Sequence, residues 1–370
     1  MTLLIGTVIL FGAAFPYLVY LAGITFGRRP DPVPLLHALP FISIIIPAYN
    51  EEAIIPERIR NIAQSEYPSD RYEVIIIDDA STDHTRERAE SALEGHGITG
   101  VVLTNKERQG TNRSFNRGIR EAHADVMVTT GADVFFEPGA VGIVVSRLLS
   151  DPEIGAVCAD MRPLIRDNAG TTVKRERAYR DYYGLMCRWE SAVDSTFNFN
   201  GGLVAFKKGA VTRIRERKGS DDANTAFEVI RNGKRAVYEI TALVYEDIPE
   251  QQKSQSQQKI RRAKRLIEAT LANLDLLEQN RTFSRVFYPL RIWINVVSPA
   301  LFVSGVVLVL AGIALQSLLA AALLAIVILG FIGSGKNIIS VFILTQYYLL
   351  RGLLNLGRET VIWESTSKKS

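Results

Sequence analysis

The sequence predicts an α/β domain, a mainly parallel sheet with helices on both faces, carried between apolar helices at its two ends. Two observations lead there. In the middle of the chain, β-branched runs of the kind buried in parallel strands alternate with segments of helical spacing. Toward each end lie long stretches with almost no charge, of the ~20-residue length that a bilayer-crossing helix needs. Hydrophobic residues make up 47% of the 370, an ordinary share, so the information lies in where they fall.

Residues 3–26, LLIGTVILFGAAFPYLVYLAGITF, carry no charge. No basic residue precedes them and the run is long for a cleaved signal, so a membrane anchor over 1–27 is the better reading. Arg28 and Arg29 follow it, which by the positive-inside rule places the next segment in the cytosol. The proline-rich stretch 28–40 reads as a linker into a domain over 41–285.

Within that domain FISIIIP (41–47) and YEVIIID (72–78) are the first two strands, with a helical segment between them. A second helix is predicted from about His84 to Glu94, with Ser81 and Asp83 as candidate caps. VVLTN (101–105) and VMVTT (126–130) supply two more strands, separated by a helix near 112–123. The resulting βαβαβαβ order requires parallel pairing and helices on both faces.

Beyond 285 the apolar stretch 292–334 is divided by Gln316 and Ser317 into 292–315 and 318–334, read as two spans within 286–335. Pro299 is tolerable there because neighbouring helices can re-satisfy a freed backbone group. In the final segment, 336–370, the uncharged part 337–350 is short and runs into Arg351. It reads as an amphipathic helix lying in the interface, or else as a third span.

The net charge of +4 does not point to nucleic acid. Many basic residues flank the apolar segments, among them Arg28, Arg29, Arg281, Arg285, Arg291, Lys368 and Lys369. In that position they orient spans and attract anionic lipid headgroups. No stripe of basic and aromatic residues suggests a nucleic-acid partner. Cys158 and Cys187 are too few for a disulfide framework, and they form no zinc-type cluster with the four histidines.

In an open parallel sheet, ligands bind beyond the carboxyl ends of the strands. Three predicted strand ends are polar: PAYNEE (47–52), DDASTD (78–83) and GAD (131–133). One acidic strand end is commonly a helix cap, but three along a single edge make a site.

The order of these motifs resembles the inverting glycosyltransferases of family 2, which have the GT-A fold, over about residues 41–265. SIIIPAYNEE followed by IIIDDASTDHT carries most of the likeness. The resemblance implies that Ala48, Tyr49, Glu51 and Asp79 contact a uracil or guanine ring, with Asp78 structural. It implies a divalent cation, Mg²⁺ or Mn²⁺, on Asp133, although Gly131 stands where the family's D-x-D motif has its first acid. One carboxylate suffices if waters and the donor diphosphate complete the shell.

In QGTNRSFNRG (109–118), Asn116 and Gly118 match the family, Thr111 replaces its lysine, and Arg113 is the nearby cation for a diphosphate. FNFNGGLVAFKKGAV (197–211) resembles the acceptor-side loop, where Gly201 and Gly202 would let substrate approach the backbone. The acidic pair Asp221 and Asp222 follows, with Asp222 eleven residues before Gly233, the place of the family's general base. Gln258, Arg261 and Arg262 resemble the Q-x-x-R-W element of membrane-embedded polysaccharide synthases, with Arg in place of Trp. That element implies positive charge near the departing diphosphate.

The expectation is a multi-pass protein of the cell membrane whose cytosolic domain moves sugar from a nucleoside-diphosphate sugar to a lipid-linked or polysaccharide acceptor. The changes at Gly131 and Thr111 leave an alternative open, a nucleotide-sugar-binding membrane protein that serves as partner or scaffold without transfer.

Overall fold

The computed structural model describes all residues except 37, 165–170, 201, 217–218, 248–251, 325, 327–337 and 358–370. The chain divides into two compact units. One holds 29–164 and 190–249; the other holds 1–28, 165–189 and 250–359. Residues 165–189 and 250–285, which the sequence places with the α/β domain, thus group with the apolar helices.

In the first unit an eight-stranded sheet runs in the order β3-β2-β1-β4-β7-β6-β8-β5. The leading strands are β1 (Ile42–Ala48), β2 (Tyr72–Asp78), β3 (Gly100–Thr104) and β4 (Val126–Thr130), all within a residue or so of the sequence expectation. They pair in parallel, with Ile42 opposite both Tyr72 and Val126. Ile42, Ile44, Ile45 and Ile46 are all 1% exposed or less. Both faces of β1 are therefore covered, which is why its sequence lacks polar alternation.

Helices α2 (Ile55–Ala63) and α3 (Thr85–Gly95), with α5 (Ala140–Leu149), cover the face of Ile44 and Ile46. On α2 the buried Ile55, Ile59 and Ile62 recur at helical spacing, and Pro56 occupies the first turn, where its missing N–H costs nothing. Helix α4 (Thr111–Glu121) lies on the Ile45 face. Gly118 permits this, because a Cβ there would stand 2.3 Å from Ile45 Cγ2.

The second half of the sheet is mixed. Strands β5 (Val134–Phe136), β6 (Ile154–Pro163), β7 (Leu203–Lys207) and β8 (Arg235–Glu246) join it. β7 is antiparallel to β4 and β6, β6 is parallel to β8, and β5 is antiparallel to β8. Helix α7 (Asp221–Arg231) sits between β7 and β8 in the chain.

The second unit contains α1 (Thr2–Phe26), the greater part of α6 (Thr171–Val193), α8 (Gln252–Ala272), a long helix Phe283–Ala314 and a helix Ile338–Leu354. α1 and Phe283–Ala314 are long and apolar enough to cross a membrane. They touch through glycines: a Cβ on Gly6 would meet Val309 N at 2.8 Å, and one on Gly312 would meet Leu3 N at 2.8 Å. Small residues allow this approach where lipid offers no hydrophobic drive to associate. Leu4, Val8, Phe11, Leu21, Val303 and Val307 remain exposed on the two helices.

The long helix widens into π turns at Phe283–Phe287 and Trp293–Val297, just ahead of Pro289 and Pro299, where the hydrogen-bond ladder loses a donor. Residues 318–324 are helical after a turn at 315–316, while most of the predicted span 318–334 lies outside the described residues. Arg291, expected to flank a membrane segment, is instead fully buried between the Tyr20 and Tyr183 rings.

Candidate active site

The loops leaving β1 and β2 are laced together. Asn50 N–H donates to Ser81 Oγ (3.0 Å), and Thr82 N–H returns a bond to Asn50 Oδ1 (2.9 Å). Glu51 N–H donates to Thr85 Oγ1 (2.8 Å) and Glu52 N–H to Asp83 Oδ2 (3.2 Å). Asp78 accepts from Ser81 N–H at 3.1 Å, in line with a structural role. Asp83 reaches the start of α3 by accepting from Thr85 N–H at 3.0 Å. At the centre, Asn50 (φ 54°) and Ala80 (φ 61°) occupy the left-handed region, unusual for residues other than glycine and a mark of functional loops.

Asp79 gathers a third loop. Its Oδ1 accepts from Asn105 Nδ2 (2.7 Å) and Gln109 N–H (2.9 Å), and its Oδ2 accepts from Gly110 N–H (2.8 Å). The Asp79 N–H in turn donates to Ala48 O at 2.8 Å. This folds the 105–110 segment back so that the Arg108 guanidinium lies 3.8 Å from the Tyr49 ring centroid. Ala48, Tyr49, Glu51 and Asp79 therefore lie at one edge of the sheet.

The β4–β5 turn carrying Gly131 and Asp133 rests on Arg58, which is fully buried. Arg58 Nε donates to Gly131 O (3.2 Å), Nη1 to Asn61 Oδ1 (2.8 Å) and Nη2 to Thr130 Oγ1 (3.2 Å). The guanidinium also stacks 3.9 Å from the Phe136 ring centroid. Burial pushes it down to about 9, against the opposing pull of the Asp133 charge. A Cβ on Gly131 would lie 2.8 Å from Asp133 Oδ1, so the single carboxylate leans into the space a first acid of the motif would use.

Among the described residues no three His, Cys, Asp or Glu side chains gather as a metal site. Asp133 offers one hard oxygen ligand, which fits Mg²⁺ or Mn²⁺ provided that diphosphate and water supply the rest.

Arg113 pairs with Glu216 at 3.0 Å. It belongs to a seam between α4 and the segment before α7. Asn116 exchanges bonds with the Ile214 backbone in both directions (2.8 and 2.7 Å), and Asn112 Nδ2 donates to Arg215 O (2.7 Å). The seam leads into α7, where Asp221 and Asp222 form the first turn, both half-buried, at the positive end of the helix dipole. Asp222 Oδ1 accepts from Ala223 N–H at 2.7 Å. The spacing to Gly233 now has a cause: α7 is eleven residues long, and Gly233 (φ 76°) takes the left-handed position just past its end.

Gly202 has a packing role. A Cβ there would meet Val244 Cγ2 at 2.7 Å, and its carbonyl accepts from Thr130 Oγ1 at 2.7 Å. Gly201 lies outside the described residues. Gln258, Arg261 and Arg262 share one face of α8 in the helical unit, at i, i+3 and i+4.

Sequence reasoning missed Arg58 and Arg108. Arg58 sits one residue before Ile59 on the apolar face of α2, and that burial-side position was the available signal. Arg108 had none, because its place depends on the bonds Asp79 makes to the neighbouring amides.

Residues 43–206 match the family described as glycosyl transferase family 2. A probable glycosyltransferase, YdaM of Bacillus subtilis, is 33% identical over 137 residues, 36% of this chain and 32% of that protein. Poly-β-1,6-N-acetyl-D-glucosamine synthase of Staphylococcus aureus is 25% identical over 238 residues, 63% of this chain and 56% of its own length. The chain thus spans between a third and just over half of these relatives. Among solved structures, the mannosyltransferase PcManGT of Pyrobaculum calidifontis, in complex with GDP-Man and Mn²⁺, superposes with a TM-score of 0.80. It is 24% identical and the match covers 96% of this chain and 98% of that one, a likeness of fold.

Proposed function

We propose that the chain is a glycosyltransferase of family 2 that transfers a sugar, with inversion, from a nucleoside-diphosphate sugar to a lipid-linked or polysaccharide acceptor. The observation that carries this is the placement of Asp222. It stands half-buried in the first turn of α7, on a segment fastened to α4 through Ile214 and Arg215. A carboxylate so held serves as general base.

In the proposed reaction the acceptor hydroxyl oxygen attacks the anomeric carbon from the face opposite the diphosphate. Asp222 takes the hydroxyl proton as the new C–O bond forms, and the bond from the anomeric carbon to the diphosphate oxygen breaks with its electron pair leaving on the diphosphate. Tyr49 and Asp79 hold the base of the donor at the β1 and β2 ends, and Asp133 faces the diphosphate. A divalent ion bound there with the donor would supply charge neutralisation for the leaving group.

The exposed apolar faces of Thr2–Phe26 and Phe283–Ala314 support membrane anchoring, and Arg28 with Arg29 supports a cytosolic catalytic domain. An acceptor that is itself membrane-bound follows from that location.

The test is transfer by Asp222→Asn beside its donor affinity. A general base contributes about 10²–10⁴-fold to rate, so turnover should fall by that factor while nucleotide binding holds. The anomeric configuration of the wild-type product, read by NMR, checks inversion. Near-normal transfer by Asp222→Asn would remove the base assignment, and a retained configuration would remove the mechanism.

A further inference from the structure

The helical unit holds a buried polar cluster that the transfer reaction does not use. On α6, Glu176 accepts from Arg180 Nε at 2.8 Å, and its other oxygen lies 2.8 Å from Lys259 Nζ on α8. The side chains of Arg180 and Glu176 are 9% and 6% exposed, and that of Lys259 is 22% exposed, so the lysine stands at the opening of the cluster. Its Nζ also faces the rings of Tyr348 at 5.4 Å and Tyr179 at 6.0 Å. One turn before Lys259, on the same face of α8, Gln255 is 6% exposed, and its Nε2 has no hydrogen-bond partner among the described residues. Buried polar groups in native proteins are nearly always paired, so this amide is complete only when an acceptor arrives. The cluster is rich in donors, and the Glu176 carboxylate is the acceptor that its cations share. Two cations against one carboxylate leave a single positive charge, to which Arg177, paired with Asp181 at 3.9 Å, adds none.

We propose that Gln255, Lys259 and Arg180 bind the phosphodiester of an anionic membrane phospholipid, a ligand separate from sugar donor and acceptor. A phosphodiester brings one negative charge, the amount the cluster leaves unbalanced, whereas a phosphomonoester carries about −1.5 to −2 at pH 7. Its free oxygens only accept, which is what a guanidinium, an ammonium and an amide N–H require. One oxygen takes the unpartnered Gln255 Nε2–H, and another accepts from Lys259, an ammonium with N–H groups to spare beyond Glu176. The acyl chains belong with the apolar helices Thr2–Phe26 and Phe283–Ala314 of the same unit. The inference rests on the reading of those helices as membrane spans and is independent of transfer.

The experiment is calorimetry and thermal shift of the full-length protein in neutral detergent, titrated with dihexanoyl-phosphatidylglycerol, dihexanoyl-phosphatidylcholine or inorganic phosphate. Phosphatidylglycerol should bind saturably and about ten-fold tighter than either of the others. Gln255→Leu should lose about ten-fold of that affinity without lowering the Tm of the lipid-free protein, because the donor it removes has no partner there. Lys259→Gln should lose the preference for phosphatidylglycerol. Glu176→Gln, which removes the competing acceptor, should tighten lipid binding although it lowers stability. Opposite signs at Lys259 and Glu176 separate a lipid site from a structural ion pair, in which both variants would act alike. Equal binding of the two lipids, equal binding of inorganic phosphate, or unchanged affinity in Gln255→Leu overturns the proposal. Sugar donor and acceptor are absent from the titration, so its failure leaves the transferase reading standing.

Discussion

The loops after β1 and β2 and the turn after β4 reach the same edge of one sheet and are held there by opposite means. The first pair is fastened by many short bonds in which side-chain oxygens of Asn50, Ser81, Asp79, Asp83 and Thr85 accept backbone N–H groups. The turn hangs on one buried cation, Arg58, which donates to Gly131, Thr130 and Asn61 together. Distributed bonding should fail in steps, because each lost bond exposes one or two groups. A single charged anchor should fail as a unit, because its loss strands every acceptor at once.

The sharpest way to break this contrast is Arg58→Met, which keeps apolar bulk and removes all three donated bonds. Leaving buried acceptors unmatched should cost about 3 kcal/mol, read as a large fall in Tm. Mn²⁺-dependent binding of the nucleotide should fall too, since the Asp133 turn loses its support. A Tm within about 2 °C of the parent would show that the turn holds without its cation.

The helical unit offers a second buried-charge anchor. Glu176 is 2.8 Å from both Arg180 and Lys259. Burial raises its pKa, but the two cations outweigh that and bring it down from 4.5 to about 2. The folded value is the depressed one, so the stabilisation is fully present above about pH 4.5 and is lost as the pH falls toward 2. The contribution is on the order of 3 kcal/mol. Chemical denaturation of Glu176→Gln at pH 7 and pH 3 should show less acid sensitivity than the parent, from a lower starting stability. Parallel pH profiles would remove the ion pair from the account.

How much of this was visible in the sequence follows the same line. The four leading strands and α2 to α4 were legible because burial on both sheet faces and a 3.6-residue period write themselves into local composition. Ala48, Tyr49, Glu51 and Asp79 were legible as strand-end residues, and the structure does bring them to one edge. The antiparallel pairing of β7 was not, because strand direction in a mixed sheet is set by connections that leave no periodic trace. Arg58 is legible as a position on the buried side of α2, but its partners Thr130 and Gly131 are not. The partner of Arg113, Glu216 at 3.0 Å, is likewise distant in sequence. Long-range partners of charged side chains are the part that local pattern cannot supply.

On the loop side, Asp79→Ala should cost less than the loss of Arg58. It frees three donors, two of them backbone amides of a loop that water can reach, and about 1–2 kcal/mol is expected. Hydrogen exchange should rise at Gln109 and Gly110 while the β1 and β2 amides stay protected. Exchange spreading into those strands would mean that the lacing is cooperative after all, and the contrast with the turn would dissolve.

The smallest effect tests whether the lacing is strained. Ala80 holds φ 61°, a conformation that costs a residue with a Cβ roughly 1–2 kcal/mol. Ala80→Gly removes that cost and returns about 0.5–1 kcal/mol of it as extra freedom in the unfolded chain. The net expectation is a gain of about 0.5 kcal/mol, a rise in Tm of a degree or two. Asn50 gives the control, since its φ of 54° is accompanied by side-chain bonds from Thr82 that a glycine would lose. Asn50→Gly should therefore destabilise where Ala80→Gly stabilises, although both relieve the same backbone strain. If both rise, the side-chain lacing is worth less than the strain it sits on. If both fall, these two positions are held by contacts their neighbours make and not by the backbone cost, and the loops resemble the Arg58 turn more than the bond pattern suggests.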